Sequence, residues 1–484
     1  MQKYIFLLLI RLSVFSVFSQ NSVQRSLNEF VRDKANQNAS VSFMALELTE
    51  GGIIARHGEK QSLTCASTTK LFSTATAIEL LGKDYCVSTR IYHDGFVKDS
   101  VLYGNLWIRG AGDVSLGSKF FNNTGEELIF LNSWTLKLKE AGIKRVEGAV
   151  IADASEFGYE GAPEGWSWGD VGNYYGAPAM GLNVYDNQIK LKFQTDKVGT
   201  KSIVTKIYPE VPGLKMRNEV IAGNVKDDNS IIYGAPYSLD RYVSGQLPAL
   251  KPEFEVRGSM PDPEFQLAYE FTKKLKEIGV HVSDEPIGFR NLELSTAKKY
   301  GSTFTYLFEE SSKTVEEIAY WTNVRSVNLF AEGLLNWLSY ADKGKSTTSS
   351  SLKIMEKFWS ARMDLTGAYI KDGSGLSRGN AISANHFCEL LQYMYCYGQI
   401  DAFKETLPIA GVSGTIKSLC KGQVGEGKIY AKSGTISRVK AYSGYVFSKS
   451  GKVIAFAFIV NNYNASSADI TAKMEKVLNA MATY

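Results

Sequence analysis

Apolar residues recur along this chain with a spacing that changes from one segment to the next. Helical spacing predicts a first helix over Val23–Lys34 and a second over Ser67–Leu81. Between them, Val41–Leu48 and Gly52–His57 are strand-like runs on either side of a short turn, which predicts a hairpin. The chain therefore begins with a helix, a hairpin and a second helix.

The middle of the chain has mainly strand-like patterns. Apolar and β-branched residues cluster at Val101–Arg109, Arg145–Ala152 and Gln188–Phe193, and the turns between them carry Gly, Pro, Asn and Asp. We predict a large β-rich inserted region over residues 89–299, made of two small β-rich domains.

Helices and strands both return after residue 300. Helices are predicted at Val315–Ala319, Asn328–Tyr340, Ser351–Ser360, Ala381–Tyr397 and Ser466–Ala482. Strands are predicted at Gly427–Ala431, Ala441–Phe447 and Val453–Asn461. Helices packed on an antiparallel sheet fit this order, which indicates the α+β class. Residues 20–88 and 300–484 are predicted to form one domain that carries the inserted region.

Length and charge narrow the classes of function. With 484 residues, the chain is long enough for two or three domains, and its 44% hydrophobic content is typical of a globular protein. The net charge of +4 is small, and no basic tail or nucleic-acid-binding motif accompanies it. A nucleic-acid partner is therefore not expected.

The N-terminus has the pattern of a secretory signal. Lys3 precedes the apolar run Tyr4–Ile10, and a cleavage point is available ahead of Gln20. Residues 1–19 are predicted to be a signal peptide, which implies export, with the periplasm as the expected destination. No later stretch reaches the about 18 apolar residues of a membrane-spanning helix, so a transmembrane anchor is not expected.

Histidines and cysteines give no sign of a metal or cofactor. The four histidines form no H-x-x-x-H pattern, and the five cysteines form no C-x-x-C pattern. An odd number of cysteines in an exported chain leaves at least one thiol free. We therefore predict no cofactor and no metal.

Three short motifs lie in a fixed order along the chain. They are S-x-x-K at Ser67–Lys70, S-x-N at Ser326–Asn328 and K-[ST]-G at Lys432–Gly434. S-x-x-K alone is weak evidence, because four more matches begin at Ser295, Ser350, Ser418 and Ser437. The ordered set is typical of penicillin-binding proteins and serine β-lactamases, which act through an acyl-serine.

The first motif suits covalent catalysis. A serine hydroxyl is a weak nucleophile until a base takes its proton. Ser67 and Lys70 are three residues apart, so a helix places them on the same side. A desolvated lysine close to a second cation loses its proton readily, and Lys432 is a candidate for that cation.

Beyond the motifs, the chain resembles the class C low-molecular-mass penicillin-binding proteins over nearly its whole mature length. Further family-like segments are Gly110–Asp113, Gly165–Asp170, Tyr175–Pro178, Asp372–Arg378 and Leu407–Val412. Two positions depart from the usual pattern, Val327 in the second motif and Ser433 in the third, but hydroxyl, amide and cation are kept. The resemblance implies a penicillin-recognising serine transpeptidase-like domain, an antiparallel sheet with helices on both faces.

The resemblance also implies roles for named residues. Ser67 would attack the substrate carbonyl, Lys70 would take its proton, and the N–H groups of Ser67 and Thr435 would form the oxyanion hole. Ser326 and Lys432 would pass a proton to the leaving nitrogen, and Asn328 would hold the substrate amide. Substrate binding would fall to Ser433, Gly434, Thr435 and, in the inserted region, Asp170.

The function implied is a D-alanyl-D-alanine carboxypeptidase, endopeptidase or both, acting on peptidoglycan peptides and inhibited by β-lactams. Two alternatives stay open from the residues. A serine β-lactamase would use the same motifs but needs fast deacylation, for which the sequence offers no feature. A non-catalytic wall-binding protein would not need the intact pair Ser67 and Lys70.

Overall fold

A computed structural model describes residues 21–123, 125–295 and 303–484 of the protein. The predicted signal peptide, residues 1–19, lies outside the described residues. The α-helices are α1 (Ser22–Arg32), α2 (Lys70–Leu81), α3 (Ile129–Glu140), α4 (Trp168–Val171), α5 (Pro263–Glu277), α6 (Phe289–Ser295), α7 (Val315–Val324), α8 (Asn328–Lys343), α9 (Thr348–Ser360), α10 (Ala384–Cys396), α11 (Ile400–Glu405) and α12 (Ser467–Thr483). Within the described ranges, no helix is both long and apolar enough to cross a membrane.

Twenty strands accompany these helices in the described residues. They are β1 (Ser40–Glu47), β2 (Gly52–His57), β3 (Ser88–His93), β4 (Phe96–Lys98), β5 (Val101–Tyr103), β6 (Leu106–Arg109), β7 (Arg145–Glu147), β8 (Val150–Asp153), β9 (Gln188–Gln194), β10 (Ile203–Tyr208), β11 (Lys215–Gly223), β12 (Asn229–Tyr233), β13 (Asp240–Pro248), β14 (Phe254–Ser259), β15 (His281–Val282), β16 (Ile287–Gly288), β17 (Thr305–Ser311), β18 (Ile429–Ile436), β19 (Val439–Phe447) and β20 (Val453–Asn461).

Both ends of the chain build one antiparallel sheet in the order β18-β19-β20-β1-β2. Every residue of the central strand β20 is buried, because helices cover both faces of the sheet. Alternate residues of β20 enter different cores, Ala455 and Ala457 on one face and Phe456 and Phe458 on the other. The predicted α+β class and the predicted N-terminal hairpin are confirmed.

Helix α2 follows the N-terminal hairpin and is buried on all sides. Every residue from Lys70 to Ile78 is buried, with α7, α8 and α9 packed around the helix. A helix that is buried all round needs no single apolar stripe, and its sequence is accordingly rich in Ala and Thr. The sequence pattern predicted one helix from Ser67, whereas the first turn, Ala66–Thr69, is a 3₁₀-helix and the α-helix begins at Lys70.

The inserted region contains four further sheets, in the orders β10-β9-β14, β11-β13-β12, β15-β7-β5-β4 and β16-β8-β6-β3-β17. Helices α3 and α5 pack beside them, so the region is rich in strands without being purely β. Strand β17 lies after the predicted boundary at residue 299, yet it pairs with β3 inside the inserted sheet. This pairing favours an exit after Ser311, and the division into two domains stays a prediction.

A buried carboxyl joins helix α8 to the loop that follows residue 371. Glu332 accepts hydrogen bonds from the backbone N–H groups of Gly373 (3.0 Å) and Ser374 (2.8 Å). Its side chain is 1% exposed, and burial, with the nearby Asp372, raises the pKa of the carboxyl. Two backbone donors of the loop are therefore satisfied inside the protein by a single side chain.

We predict that Glu332→Ala destabilises the fold by about 1–3 kcal/mol, because it leaves two buried N–H groups without an acceptor. Glu332→Gln, which keeps one acceptor oxygen, is expected to lose less. Glu405→Ala at an exposed position of α11 serves as the control, with a change within about 0.5 kcal/mol. The measurement is urea unfolding followed by circular dichroism, and equal stabilities of Glu332→Ala and the control would contradict the assignment.

Candidate active site

The turn before α2 presents Ser67 to solvent between two buried segments. Ala66, immediately before it, has a φ of +48°, a conformation that is costly for a residue with a β-carbon. Strand β18 lies directly against this turn. A β-carbon at Gly434 would stand 2.5 Å from the carbonyl oxygen of Cys65 and 3.1 Å from the nitrogen of Ser67. The glycine therefore lets the third motif approach the first.

Lys70 reaches three oxygens, two of which come from distant parts of the chain. Its Nζ is 3.0 Å from Ser67 Oγ, 2.6 Å from Asn328 Oδ1 and 2.6 Å from the carbonyl oxygen of Ser374. The last two oxygens only accept hydrogen bonds. Two N–H groups of a neutral amine satisfy them, which leaves the nitrogen lone pair for the hydroxyl proton of Ser67.

The protonation of Lys70 follows from its burial. Its side chain has no exposed surface, and desolvation lowers its pKa to about 7, although Asp372 and Glu332 act in the opposite direction. A substantial fraction of Lys70 is therefore neutral near pH 7. The site thus provides what a hydroxyl nucleophile needs, a base within hydrogen-bond distance.

The second buried lysine, Lys432, is hydrogen-bonded to the first residue of the middle motif, Ser326. Its Nζ donates to Ser326 Oγ (2.9 Å) and to the carbonyl oxygen of Ser433 (2.7 Å). Burial, followed by the neighbouring Lys70, lowers the pKa of Lys432 well below its usual value. Ser326 has a φ of +58°, which is a second strained backbone position at the cavity that Ser67 lines.

Asn328 connects Lys70 to the inserted region. While its Oδ1 accepts from Lys70, its Nδ2 donates to the backbone carbonyl of Tyr175 (2.7 Å). The amide is thereby fixed in one orientation. A substrate amide that binds Asn328 competes with the carbonyl of Tyr175.

A second connection runs from the tryptophan segment to the loop after residue 371. Trp166 Nε1 donates to Asp372 Oδ2 (2.8 Å), and a β-carbon at Gly165 would approach Ser377 Oγ to 2.4 Å. Asp372 is fully buried and also accepts from the N–H groups of Gly375 and Ser377, each at 2.7 Å. The inserted segment and the loop are therefore packed as one unit beside Lys70.

Most of the predicted site residues meet at one cavity of about 450 Å³. Ser67, Asp170, Ser326, Asn328 and Thr435 line it. The two lysines lie buried beneath this lining.

Two predicted substrate-binding residues lie beside the cavity lining. Ser433 is half-buried, and its hydroxyl donates to Thr415 Oγ1 (2.7 Å). Gly434 packs closely against the turn that carries Ser67. Their roles toward a substrate stay predictions.

Asp170 lies at the rim of the same cavity, on α4. Its carboxylate accepts hydrogen bonds from Ser167 Oγ (2.8 Å) and from the Tyr175 hydroxyl (3.3 Å), so both oxygens have a protein partner. These bonds orient the carboxylate without neutralising it. The position is suited to a cationic group of a bound ligand.

Glu332, Asp372 and the carbonyl of Ser374 were not predicted as site residues. Glu332 carries a signal in the sequence, since it is a single acidic residue inside the apolar run Leu329–Leu335. The carbonyl of Ser374 has none, because any residue supplies a backbone carbonyl.

Cys65, two residues before Ser67, is not a competing nucleophile. Its thiol is fully buried, and burial raises its pKa to about 12. All five cysteines are free thiols. Among the residues that the structure describes, no group of three or more His, Cys, Asp or Glu side chains is arranged to hold a metal ion.

Comparison with known proteins gives consistent matches over almost the whole chain. The D-alanyl-D-alanine carboxypeptidase of Actinomadura sp. is 25% identical over an alignment of 486 residues, which covers 96% of this chain and 85% of the relative. D-alanyl-D-alanine carboxypeptidase DacB of Haemophilus influenzae is 24% identical over 462 residues and covers 92% of this chain and 89% of its own length.

A solved structure shares the fold. The crystal structure of penicillin binding protein 4 from Haemophilus influenzae superimposes with a TM-score of 0.78 at 20% identity, covering 95% of this chain and 99% of that chain. The same protein complexed with a novel β-lactam gives a TM-score of 0.75 at 19% identity. The predicted penicillin-recognising fold is confirmed by this likeness.

The family follows from the sequence profile. The profile described as the D-Ala-D-Ala carboxypeptidase 3 (S13) family matches residues 23–481, which is nearly the entire described chain. This match confirms the resemblance that the ordered motifs predicted. The chain belongs to the D-Ala-D-Ala carboxypeptidase 3 (S13) family.

Proposed function

We propose that the protein is an exported serine D-alanyl-D-alanine carboxypeptidase, endopeptidase or both, which cleaves peptidoglycan peptides through an acyl-enzyme on Ser67. Membership of its family makes the protein a hydrolase of the D-Ala-D-Ala class. The observation that carries the residue assignment is the contact of Lys70 Nζ with Ser67 Oγ at 3.0 Å, by a lysine whose pKa is lowered to about 7.

In the first step, Lys70 takes the hydroxyl proton as Ser67 Oγ bonds to the carbonyl carbon of the penultimate D-alanine. The carbonyl oxygen becomes negatively charged and is stabilised by the backbone N–H groups of Ser67 and Thr435. Each oxyanion donor typically contributes about 3 kcal/mol to stabilising such a transition state. The close approach of Gly434 to the nitrogen of Ser67 supports this role, because it brings the two backbones together.

The leaving D-alanine needs a proton on its nitrogen and a partner for its carboxylate. Ser326, which contacts Lys432 Nζ at 2.9 Å, is the proposed donor, and it passes to the nitrogen the proton that Lys70 took from Ser67. Thr435 and Ser433 on β18, with Lys432, bind the carboxylate through charge-assisted hydrogen bonds. Water then attacks the ester carbonyl and gives a proton to Lys70, which returns it to Ser67 Oγ as the ester bond breaks.

Substrate and location are proposed on three grounds. A relative of the same fold has been crystallised with a β-lactam, which supports β-lactams as acylating inhibitors of this protein. The N-terminal residues 1–19 have the pattern of a secretory signal, which supports export to the periplasm. Asp170 at the cavity rim supports a preference for peptides with a free side-chain amine.

We predict that Ser67→Ala abolishes labelling by a fluorescent penicillin and leaves the melting temperature nearly unchanged, because it removes only the nucleophilic oxygen. Ser437→Ala is the matched control, since Ser437 lines the same cavity and also begins an S-x-x-K match. Labelling is read from denaturing gels. Undiminished labelling of Ser67→Ala, or equal loss in both variants, would contradict the assignment.

We predict that the acylation rate rises about tenfold per pH unit below about 7 and levels off above it, because only neutral Lys70 accepts the serine proton. The pKa of about 7 sets this midpoint. The measurement is the second-order rate constant of penicillin acylation between about pH 5 and 9. Lys70→Arg, whose side chain stays charged, is expected to be inactive throughout. A rate independent of pH across this interval would exclude Lys70 as the base.

We predict that Asp170→Asn lowers kcat/KM about tenfold for peptides with a free side-chain amine and spares the same peptides after acetylation of that amine. The substitution keeps shape and removes the charge that pairs with the amine. Steady-state release of D-alanine measures both substrates. Equal effects on the two peptides, or none on either, would make Asp170 a structural residue.

A further inference from the structure

A row of aromatic side chains crosses the outer face of the sheet β11-β13-β12. Tyr233 and Tyr242 are directly paired between β12 and β13, and Arg217 is paired with Tyr242 between β11 and β13. Residues paired in register point to the same face of a sheet. Trp168 on α4 continues the line beyond Tyr233. We call Arg217, Tyr242, Tyr233 and Trp168 the aromatic row.

The rings of the aromatic row have a regular arrangement. The centroids of Trp168 and Tyr233 are 6.2 Å apart at an interplanar angle of 30°. Those of Tyr233 and Tyr242 are 5.9 Å apart at 27°, and the guanidinium of Arg217 stands 5.8 Å from the Tyr242 ring centroid. Successive rings are therefore almost equally spaced, with interplanar angles of 30° and 27°.

The aromatic row is open to solvent and borders a cavity of about 650 Å³. Trp168 is 59% exposed and Tyr242 is 39% exposed, although burying such rings is strongly favourable. Polar side chains of Lys215, Ser238 and Asp240 line the same cavity. Aromatic surface interspersed with hydrogen-bonding groups is suited to a ligand that has both C–H faces and hydroxyl groups.

The floor of this cavity is rigid. Arg241 is 2% exposed, and its Nη1 donates to the backbone carbonyls of Ser238 (2.7 Å) and Asp240 (3.0 Å). Gly234 lies against it so closely that a β-carbon would stand 2.5 Å from the arginine. The strand ends that carry Tyr233 and Tyr242 are therefore held in place before any ligand binds, which lowers the entropic cost of binding.

The aromatic row leads to the catalytic cavity. Trp168 borders the outer cavity, and Asp170, on the same helix α4, lines the cavity of Ser67. This helix is fixed to the sheet, because the side chain of Asn173 exchanges hydrogen bonds with the backbone of Ile232 (3.1 and 3.3 Å). A polymer that places its peptide at Ser67 and leaves the cleft past Asp170 meets the aromatic row next.

We infer that the aromatic row is a binding surface for the glycan strand of peptidoglycan. The pyranose rings of a glycan present C–H groups that pack on aromatic rings, and their hydroxyl groups suit the polar lining. Neighbouring rings are 5.9 and 6.2 Å apart, so the row offers contacts to more than one sugar of a strand. The identity of the polymer rests on the proposed function, whereas the existence of an aromatic polysaccharide surface rests only on the geometry of the row.

The test uses Tyr233→Ala, Tyr242→Ala and Arg217→Ala, each in the Ser67→Ala background so that the wall is not cleaved. Arg217 is included because its side chain is 76% exposed, so its truncation is expected to leave the fold intact. Tyr103→Ala is the matched control, since Tyr103 stacks on Phe96 in another inserted sheet with a similar exposure of 47%. Probes are insoluble peptidoglycan, glycan strands freed of peptide by an amidase, and free stem peptide.

We expect each aromatic variant to weaken binding to insoluble peptidoglycan and to peptide-free glycan about tenfold, as for a central aromatic contact. Arg217→Ala is expected to weaken it less, and Tyr103→Ala not at all. With Ser67 restored, kcat/KM for a soluble D-Ala-D-Ala peptide is expected to stay unchanged in these variants.

Three results would overturn the inference. They are unchanged glycan binding in both tyrosine variants, an equal loss in Tyr103→Ala, and a loss confined to the free stem peptide. Absence of peptide hydrolysis by the wild-type enzyme would instead refute the proposed function, and glycan binding would still report on the row. Circular dichroism checks that each variant is folded.

Discussion

The burial of two lysines, each in contact with a serine hydroxyl, is the constraint on which the rest of the site depends. Lys70 and Lys432 both lack exposed surface, and desolvation lowers the pKa of each. Two buried ammonium groups side by side would be very costly, so neutralisation of one is favoured. Asp372 and Glu332 raise the pKa of Lys70 and so act against desolvation, with the result that this pKa is about 7. The pKa of Lys70 is thus set by a balance between desolvation and two buried carboxyls.

This balance determines which parts of the chain must meet. Glu332 comes from α8 and accepts hydrogen bonds from two backbone N–H groups of the loop after residue 371. Asp372 belongs to that loop. Asp372 in turn accepts from Trp166 of the inserted region, while Asn328 donates to the carbonyl of Tyr175. The inserted region is therefore part of the electrostatic and hydrogen-bonding environment of Lys70. Deleting it would expose Asp372 and leave the amide of Asn328 without its protein acceptor.

The backbone near Ser67 is strained where these distant segments meet. Ala66 and Ser326 both have a positive φ, and such conformations persist only when the surroundings enforce them. The close contact of Gly434 with the backbone at Cys65 and Ser67 is one such enforcement. Helix α4 carries both Asp170, which lines the cavity of Ser67, and Trp168, which is the end of the aromatic row. One short helix thus serves two adjoining surfaces of the molecule.

The sequence by itself determined the hairpin, the later helices, the strand run Val453–Asn461 and the order of the three motifs, because these depend on local periodicity and fixed spacing. It also placed Ser67 one turn before Lys70. Only the tertiary structure decided that Lys70 contacts Asn328 and Ser374, which are 258 and 304 residues away. Desolvation arises from the sum of such long-range contacts, so the pKa of Lys70 could not be read from its neighbours in sequence. The pairing of β17 with β3, and of Tyr233 with Tyr242, likewise depended on strand register that local sequence leaves open.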